Sequence, residues 1–165
     1  SQRRLMRAQL APQLVLPDAC SYVIGFNYIA FAMTVENKGL SSVSRVEIGG
    51  TITFSEDDFR DGAKLFRVGL WGMPAVDVKP HDPRKIDAIA HARDFPEGQF
   101  KRLHEDGIDF QILLFLNGVD ELDDRIMDFE PQRLSSAFYA ATTDQHSIHR
   151  GGGRVEKHGT MKRRN

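Results

Sequence analysis

The residues best suited to chemistry are histidines near the end of the sequence. Residues 146–159 read HSIHRGGGRVEKHG, with three histidines, three consecutive glycines and three basic residues. On a helix, the three-residue spacing of His146 and His149 would place both imidazoles on one face, where they could share a metal ion. Zinc needs three or four protein ligands, and the spacing to His158 matches no zinc motif. His146 and His149 are thus metal candidates, and the alternative is two polar histidines at a helix end.

The three glycines of this stretch could instead bring backbone N–H groups close to a phosphate. Gly-rich phosphate loops lie between a strand and the start of a helix. Here a predicted helix precedes the glycines and a polar segment follows them. The order is reversed, so we do not expect a phosphate loop.

A second candidate site lies on a predicted helix over residues 83–94. Asp82 suits the N-cap of this helix, and Pro83 suits its first position. Asp87 and His91 are four residues apart, so on a helix the carboxylate could orient the imidazole. Such a pair could be a general base or part of a metal site, and the alternative is an exposed surface pair.

Charge is distributed unevenly along the chain. The net charge is −1 overall, with +3 on residues 1–10 and +5 on residues 150–165, which leaves −9 for residues 11–149. Basic ends could bind a polyanion such as nucleic acid, or the acidic body of a neighbouring copy, and the alternative is a pair of solvated termini. No aromatic residue is interleaved with the C-terminal charges, so recognition of single strands by stacking is not expected there. The candidate residues are Arg3, Arg4, Arg7, Arg150, Arg154, Lys157, Lys162, Arg163 and Arg164.

The bulk composition is that of a soluble globular chain. A length of 165 residues with 41% apolar and 27% charged residues favours one domain with a sizeable core. A single cysteine, Cys20, allows no internal disulfide. No apolar run approaches the ~18–20 residues that span a bilayer, and the N-terminal stretch does not resemble a signal peptide. We therefore expect no membrane association, and a location in the cytoplasm or in an assembled particle.

The first half of the chain is predicted to be β-rich. Residues 22–36 suit one long strand, or two short strands separated near Gly25 and Asn27. The Gly49-Gly50 pair between two apolar runs predicts a hairpin. The other predicted strands span residues 64–72 and 75–79.

The second half changes to a helical period. Apolar residues recur at helical spacing, with one strongly apolar strand predicted over residues 108–116. This pattern predicts an α+β fold, with a mostly antiparallel β-sheet built largely from the N-terminal half and three or so C-terminal helices packed on one face. The predicted helical segments are 83–94, 98–107, 119–129 and 131–141.

The predicted organisation has three parts. Residues 1–15 form a basic arm, residues 16–149 form the α+β domain, and residues 150–165 form a flexible, disordered basic tail, because that segment has almost no apolar content.

The function predicted from this organisation is structural rather than enzymatic. We expect a self-assembling homo-oligomer whose basic ends bind neighbouring subunits or nucleic acid, a plan analogous to viral or phage structural subunits. One alternative is a small enzyme that uses Asp87 and His91, and another is a domain that binds an apolar ligand. No cofactor motif is present, so no cofactor is expected.

Overall fold

The fold is almost entirely β-structure. The computed structural model describes residues 11–54, 67–106, 109–120 and 132–164, and within these ranges it has eleven strands and one α-helix. The elements are β1 Leu14–Val15, β2 Ala19–Ile24, β3 Tyr28–Asn37, β4 Val43–Phe54, β5 Arg67–Trp71, β6 Ala75–Val78, β7 Arg84–His91, α1 Gln99–Asp106, β8 Phe110–Asp120, β9 Gln132–Ala141, β10 His146–His149 and β11 Val155–Arg164.

Eight of the strands close into an antiparallel barrel. Their order around the barrel is β3, β2, β11, β9, β8, β4, β5 and β7, and β7 then pairs with β3. The three remaining strands are short additions: β1 pairs with β3, β6 with β4 and β10 with β11. The predicted α+β fold, with several helices on one face of an open sheet, is therefore wrong.

The predicted helix at 83–94 is strand β7. Its buried residues Ile86, Ala88 and Ala90 alternate with the more exposed positions between them, which is the period of a strand. All eight residues of β7 pair with β3, from Arg84 opposite Val35 to His91 opposite Tyr28. The pairing with β3 outweighs the local preference for a helix that Asp82 and Pro83 indicated. Asp82 does not cap a helix and instead forms an ion pair with Arg84 at 3.0 Å.

The predicted helix at 131–141 is also a strand, β9. Ala137 and Tyr139 are buried inside the barrel, while Ser136 and Phe138 point outward. The predicted helix at 98–107 is confirmed by α1. The helix predicted at 119–129 lies outside the described residues from position 121 onward, and positions 119 and 120 belong to β8.

The predicted hairpin at Gly49-Gly50 is wrong, because β4 runs straight through both glycines. They lie opposite Trp71 and Leu70 of β5, and opposite Phe115 and Leu114 of β8. The two-strand alternative for residues 22–36 is confirmed: β2 and β3 form a hairpin whose turn is closed by Gly25 N–H donating to Tyr28 O at 2.8 Å.

The C-terminal residues expected to be disordered form an integral barrel strand. β11 pairs with β2 over Lys157–Lys162 and with β9 over Met161–Arg164. Met161 is fully buried. Disorder was predicted from the low apolar content of this segment. A barrel strand, however, places only alternate residues in the interior, and pairing of its backbone with neighbouring strands supplies its other contacts.

The barrel interior is filled by side chains, and α1 covers one end of it. Phe95 packs edge-to-face against Phe54 at 5.9 Å and against Phe100 of α1 at 5.3 Å between ring centroids. Phe100 and Leu103 are the buried residues of α1. In the described part of the chain, no helix is long and apolar enough to cross a membrane.

Candidate functional site

Asp87 and His91 do not form the predicted acid–base pair. Both point outward from β7, but Ile89 lies between them, and four residues along a strand span about 13 Å. The His91 ring instead packs beside Trp71, with ring centroids 5.7 Å apart. This spacing prevents the Asp87 carboxylate from orienting the imidazole of His91.

His146 and His149 are likewise separated, because both lie on β10 rather than on a helix. A spacing of three residues places them on opposite faces of a strand. His146 lies across from His158 of β11, and their rings stack with centroids 5.7 Å apart. No group of three His, Cys, Asp or Glu side chains in the described ranges could hold a metal ion.

The basic residues of the C-terminal segment separate into two groups at opposite ends of β11. At the start, Arg150 pairs with Glu156 at 2.6 Å, and Arg154 lies over the ring of Phe26. At the end, Lys162 and Arg164 point outward beside β9. Lys157 donates to the carbonyl of Glu105, and Arg163 donates to that of Leu16. Arg3, Arg4 and Arg7 lie outside the described residues.

The most distinctive surface feature is an apolar cleft on the outside of the barrel, which we call the lateral cleft. It has a volume of about 800 Å³ and lies over β2, β3 and β7. Three of its residues are large and exposed: Trp71 is 50%, Met73 79% and Val76 56% accessible to solvent. The outward-facing apolar residues of β2, β3 and β7 in the lateral cleft are Val23, Ala30, Ala32 and Ile89.

Barrel geometry fixes the alignment of these residues. Val23 lies opposite Ala30, Ala30 opposite Ile89, and Ile89 opposite Trp71, so one outward row crosses four strands. Ile89–Trp71 is the one register pair between β5 and β7 in the described residues. The segment 72–74 then joins β5 to β6 and passes close to the backbone of β7. Gly72 is needed there because a Cβ would collide with the carbonyl of Asp87.

A second apolar surface lies on the other side of the barrel, and we call it the phenylalanine face. Phe138 of β9 is 55% exposed and lies opposite Leu113 of β8. Next to them, the Arg133 guanidinium lies 4.2 Å from the centre of the Phe115 ring. Arg164 is the register partner of Phe138 on β11. Because β8 is four strands from β3 in the eight-strand circuit, this face and the lateral cleft point in opposite directions.

A third feature, the end groove, lies beside α1 at one end of the barrel. Two adjoining cavities of about 800 and 640 Å³ share Phe26, Arg154 and Val155. The first also contains Arg93 and Lys101, and the second contains Arg150.

Sequence reasoning missed the residues that define these surfaces: Phe26, Trp71, Met73 and Phe138. Phe138 was assigned to a helix, and only the alternation Ser136, Ala137, Phe138, Tyr139 could have indicated that it points outward. Met73 lies between Gly72 and Pro74, and an apolar residue in a turn is a signal for surface exposure.

No family model and no curated protein matches this chain. Among solved structures, the chain is similar to that of a protein named as an ApaA protein from Bordetella pertussis, with 11% identity and a TM-score of 0.42. The similarity covers 77% of this chain and 92% of the other. At this distance the similarity supports no conclusion about function.

Proposed function

We propose that the chain is a structural subunit that self-associates, with the phenylalanine face of one copy seated in the lateral cleft of another. The observation that carries this proposal is the cluster of Trp71, Met73 and Val76. These large apolar side chains are each at least half exposed and lie around one concave surface. Contiguous exposed apolar surface of this kind marks an interaction site.

A second copy is a suitable occupant because the two apolar surfaces differ in shape. The lateral cleft has small side chains such as Ala30 and Ala32 within it, whereas Phe138 projects from the opposite side of the barrel. Contact between two different faces of identical copies is head-to-tail, and it produces rings or filaments.

The charges near the two surfaces allow one ion pair in this arrangement. Asp87 is an exposed carboxylate at the lateral cleft. The cleft is also lined by Lys85 and by Arg84, whose guanidinium is paired with Asp82 at 3.0 Å. Two basic side chains, Arg133 and Arg164, lie beside the aromatic rings of the phenylalanine face. Asp87 could therefore pair with one of these arginines, and part of the basic C-terminal segment would lie in the contact.

The proposal is tested by measuring mass by light scattering over a wide range of protein concentration. We expect the mass of the unsubstituted chain to rise with concentration. Met73→Glu in the cleft and Phe138→Glu on the opposite face should each give a monomer, because each buries a charge in an apolar contact. Leu40→Glu is the matched control, since Leu40 is 66% exposed and lies on neither surface.

Mixing the two monomeric variants identifies which faces meet. The Phe138→Glu chain retains an intact cleft, and the Met73→Glu chain retains an intact phenylalanine face, so an equal mixture should form a dimer and stop there. If each surface met its own copy, each variant alone would still form a dimer through its intact surface. A mixture that stays monomeric, while the unsubstituted chain assembles, would contradict contact between the two different faces. An unsubstituted chain that is monomeric at every concentration would overturn the proposal.

Salt distinguishes this contact from assembly through the basic ends alone. Exposed charge pairs are screened as ionic strength rises, whereas burial of apolar surface is not weakened. We expect the assembly to persist at high salt. Assembly that dissolves in salt and is unaffected by Met73→Glu would favour the basic ends instead.

A further inference from the structure

The end groove presents an exposed aromatic ring on a fixed turn. Phe26 is 69% exposed at the tip of the β2–β3 hairpin. The turn is held on both sides, because Gly25 N–H donates to Tyr28 O and the carbonyl of Asn27 accepts from Ala92 N–H, each at 2.8 Å. Little conformational entropy of the turn is therefore lost when a ligand stacks on the Phe26 ring.

A cation lies directly over this ring. The guanidinium carbon of Arg154 is 5.7 Å from the centre of the Phe26 ring. Arg154 is positioned by the glycine turn before it, where Arg150 N–H donates to Arg154 O at 2.8 Å. Gly152 and Gly153 both have φ near +75°, which favours glycine, and space for a Cβ is open at both positions. The backbone of this turn is thus open to close approach.

The groove continues on both sides of the ring. The two cavities meet at Phe26 and Arg154, so the aromatic ring lies along an extended depression rather than at the bottom of a closed pocket. A chain-like ligand suits this shape better than a compact one.

The charges around the groove have a small positive excess. Its cations are Arg93, Lys101, Arg150 and Arg154, and its carboxylates are Glu97, Glu105 and Glu156. The Glu156 carboxylate is engaged by Arg150 at 2.6 Å, and the pKa of Glu156 is lowered by that hydrogen bond. The cations Arg93, Lys101 and Arg154 are therefore the ones available to a ligand, opposed by two carboxylates.

We propose that the end groove binds single-stranded nucleic acid, with a base stacked on Phe26 and the neighbouring phosphates beside Arg154, Arg93 and Lys101. Stacking on an aromatic side chain within a basic groove is the usual means of holding a single strand without sequence preference. A duplex keeps its bases in pairs and could not place one on Phe26. This site lies at the end of the barrel, so it is independent of the self-association proposed for its sides.

The test uses the full chain and a fluorescently labelled oligo(dT), with binding followed by fluorescence anisotropy. Phe26→Leu keeps an apolar side chain but removes the stacking ring, and it should weaken binding about tenfold. Phe26→Trp keeps a stacking ring, so it should retain or increase the affinity of the unsubstituted chain. The matched control is Leu40→Ala, which removes a large exposed apolar side chain outside the end groove and both association surfaces and should leave the affinity unchanged.

Arg154→Gln tests the phosphate contact separately. It should weaken binding and reduce the slope of log affinity against log salt by about 0.7, the value for one phosphate contact to a single strand. Lys38→Gln, an exposed cation that follows β3 at the end away from the β2–β3 turn, should leave that slope unchanged. An unlabelled duplex of the same length should compete poorly.

Three outcomes would overturn the inference. The first is absence of oligo(dT) binding by the unsubstituted chain. The second is equal affinity of the Phe26→Leu and unsubstituted chains, which would indicate general attraction of a polyanion to basic residues. The third is equal competition by duplex and single strand. Because Phe26 and Arg154 are surface residues, unchanged thermal unfolding of each variant confirms that a loss of binding is local.

Discussion

At the scale of single residues, the chemistry inferred from spacing depended on the element assumed. His146 and His149 share a face only if they lie on a helix, and on strand β10 they face opposite ways. Asp87 and His91 do share a face on β7, but a strand separates them by about 13 Å where a helix would separate them by about 6 Å. The residue types do suit metal binding and acid–base chemistry, but the strands place the two members of each pair too far apart for it.

Asp144 is a residue whose environment could not be read from the sequence. Its Oδ1 accepts from the Thr142 hydroxyl and, at 3.0 Å, from Thr160 N–H of β11. These hydrogen bonds lower the pKa of Asp144 to about 2. The carboxylate therefore links the chain after β9 to the middle of β11.

This lowered pKa predicts a pH-dependent contribution to stability. In the unfolded chain the Asp144 carboxyl has a pKa of about 3.8, so its contribution is complete above that value and is lost as pH falls through about 2. Asp144→Asn should lower the free energy of unfolding at neutral pH and flatten its fall between pH ~4 and ~2. Urea unfolding at a series of pH values measures both effects.

Thr142→Val is the companion variant, because it removes the hydroxyl donor and keeps the shape of the side chain. It should raise the pKa of Asp144 and move the loss of stability to higher pH. An Asp144→Asn chain with the pH dependence of the unsubstituted chain would contradict this account.

At the scale of elements, alanine explains why two strands were predicted as helices. Ile86, Ala88 and Ala90 of β7 face the barrel interior, yet alanine is the strongest helix former and Ile86 and Ile89 also fit a helical spacing. In this barrel, small inward side chains make room for large neighbours such as Phe31 and Phe54. The need for small residues comes from the partner strands, so a local window could not reveal it. The apolar strand β8 and helix α1 were predictable because their own residues specify them.

The two adjacent glycines of β4, Gly49 and Gly50, should differ in how much stability is lost when each is replaced by alanine. A Cβ on Gly50 would collide with the backbone carbonyl of Leu113, which is fixed in the β4–β8 pairing. A Cβ on Gly49 would instead meet the Phe115 ring at 2.6 Å, and that partly exposed side chain can move. Gly50→Ala should therefore cost about 3 kcal/mol of unfolding free energy and Gly49→Ala about 1 kcal/mol.

Chemical unfolding of the two variants, measured side by side, tests this difference. Each is the control for the other, because they are adjacent and undergo the same substitution. Equal losses would mean that β4 adjusts as a whole, and a larger loss for Gly49→Ala would contradict the steric argument.

At the scale of the whole molecule, the positive charge of residues 150–165 was interpreted as a disordered basic tail, and this interpretation was wrong. The positive C-terminal segment is a barrel strand between β2 and β9, and it carries its charges to both ends of the barrel. Barrel closure could not be predicted from the sequence, because β11 pairs with strands that are far from it along the chain. The antiparallel arrangement of the first half was predictable, since short turns connect its strands.

Removal of residues 150–165 should therefore abolish folding rather than release a tail. The truncated chain loses the partner of β2 and β9 and the buried side chain of Met161. We expect it to be insoluble, or to show no cooperative thermal unfolding by circular dichroism. A synthetic peptide of residues 150–165 added during refolding should restore a cooperative transition. A truncated chain that unfolds at the temperature of the full chain would contradict the place of β11 in the barrel.

The place of β11 also bears on the synthesis of the protein. The other seven barrel strands leave the ribosome before it, so β2 and β9 each wait with one edge unpaired until the last strand emerges. Such edges readily pair with strands of other nascent chains. On a polysome, where copies are crowded together, any delay in translating the residues of β11 would extend this exposed interval. The speed of translation through the codons of β11 should therefore affect how much folded protein a cell obtains.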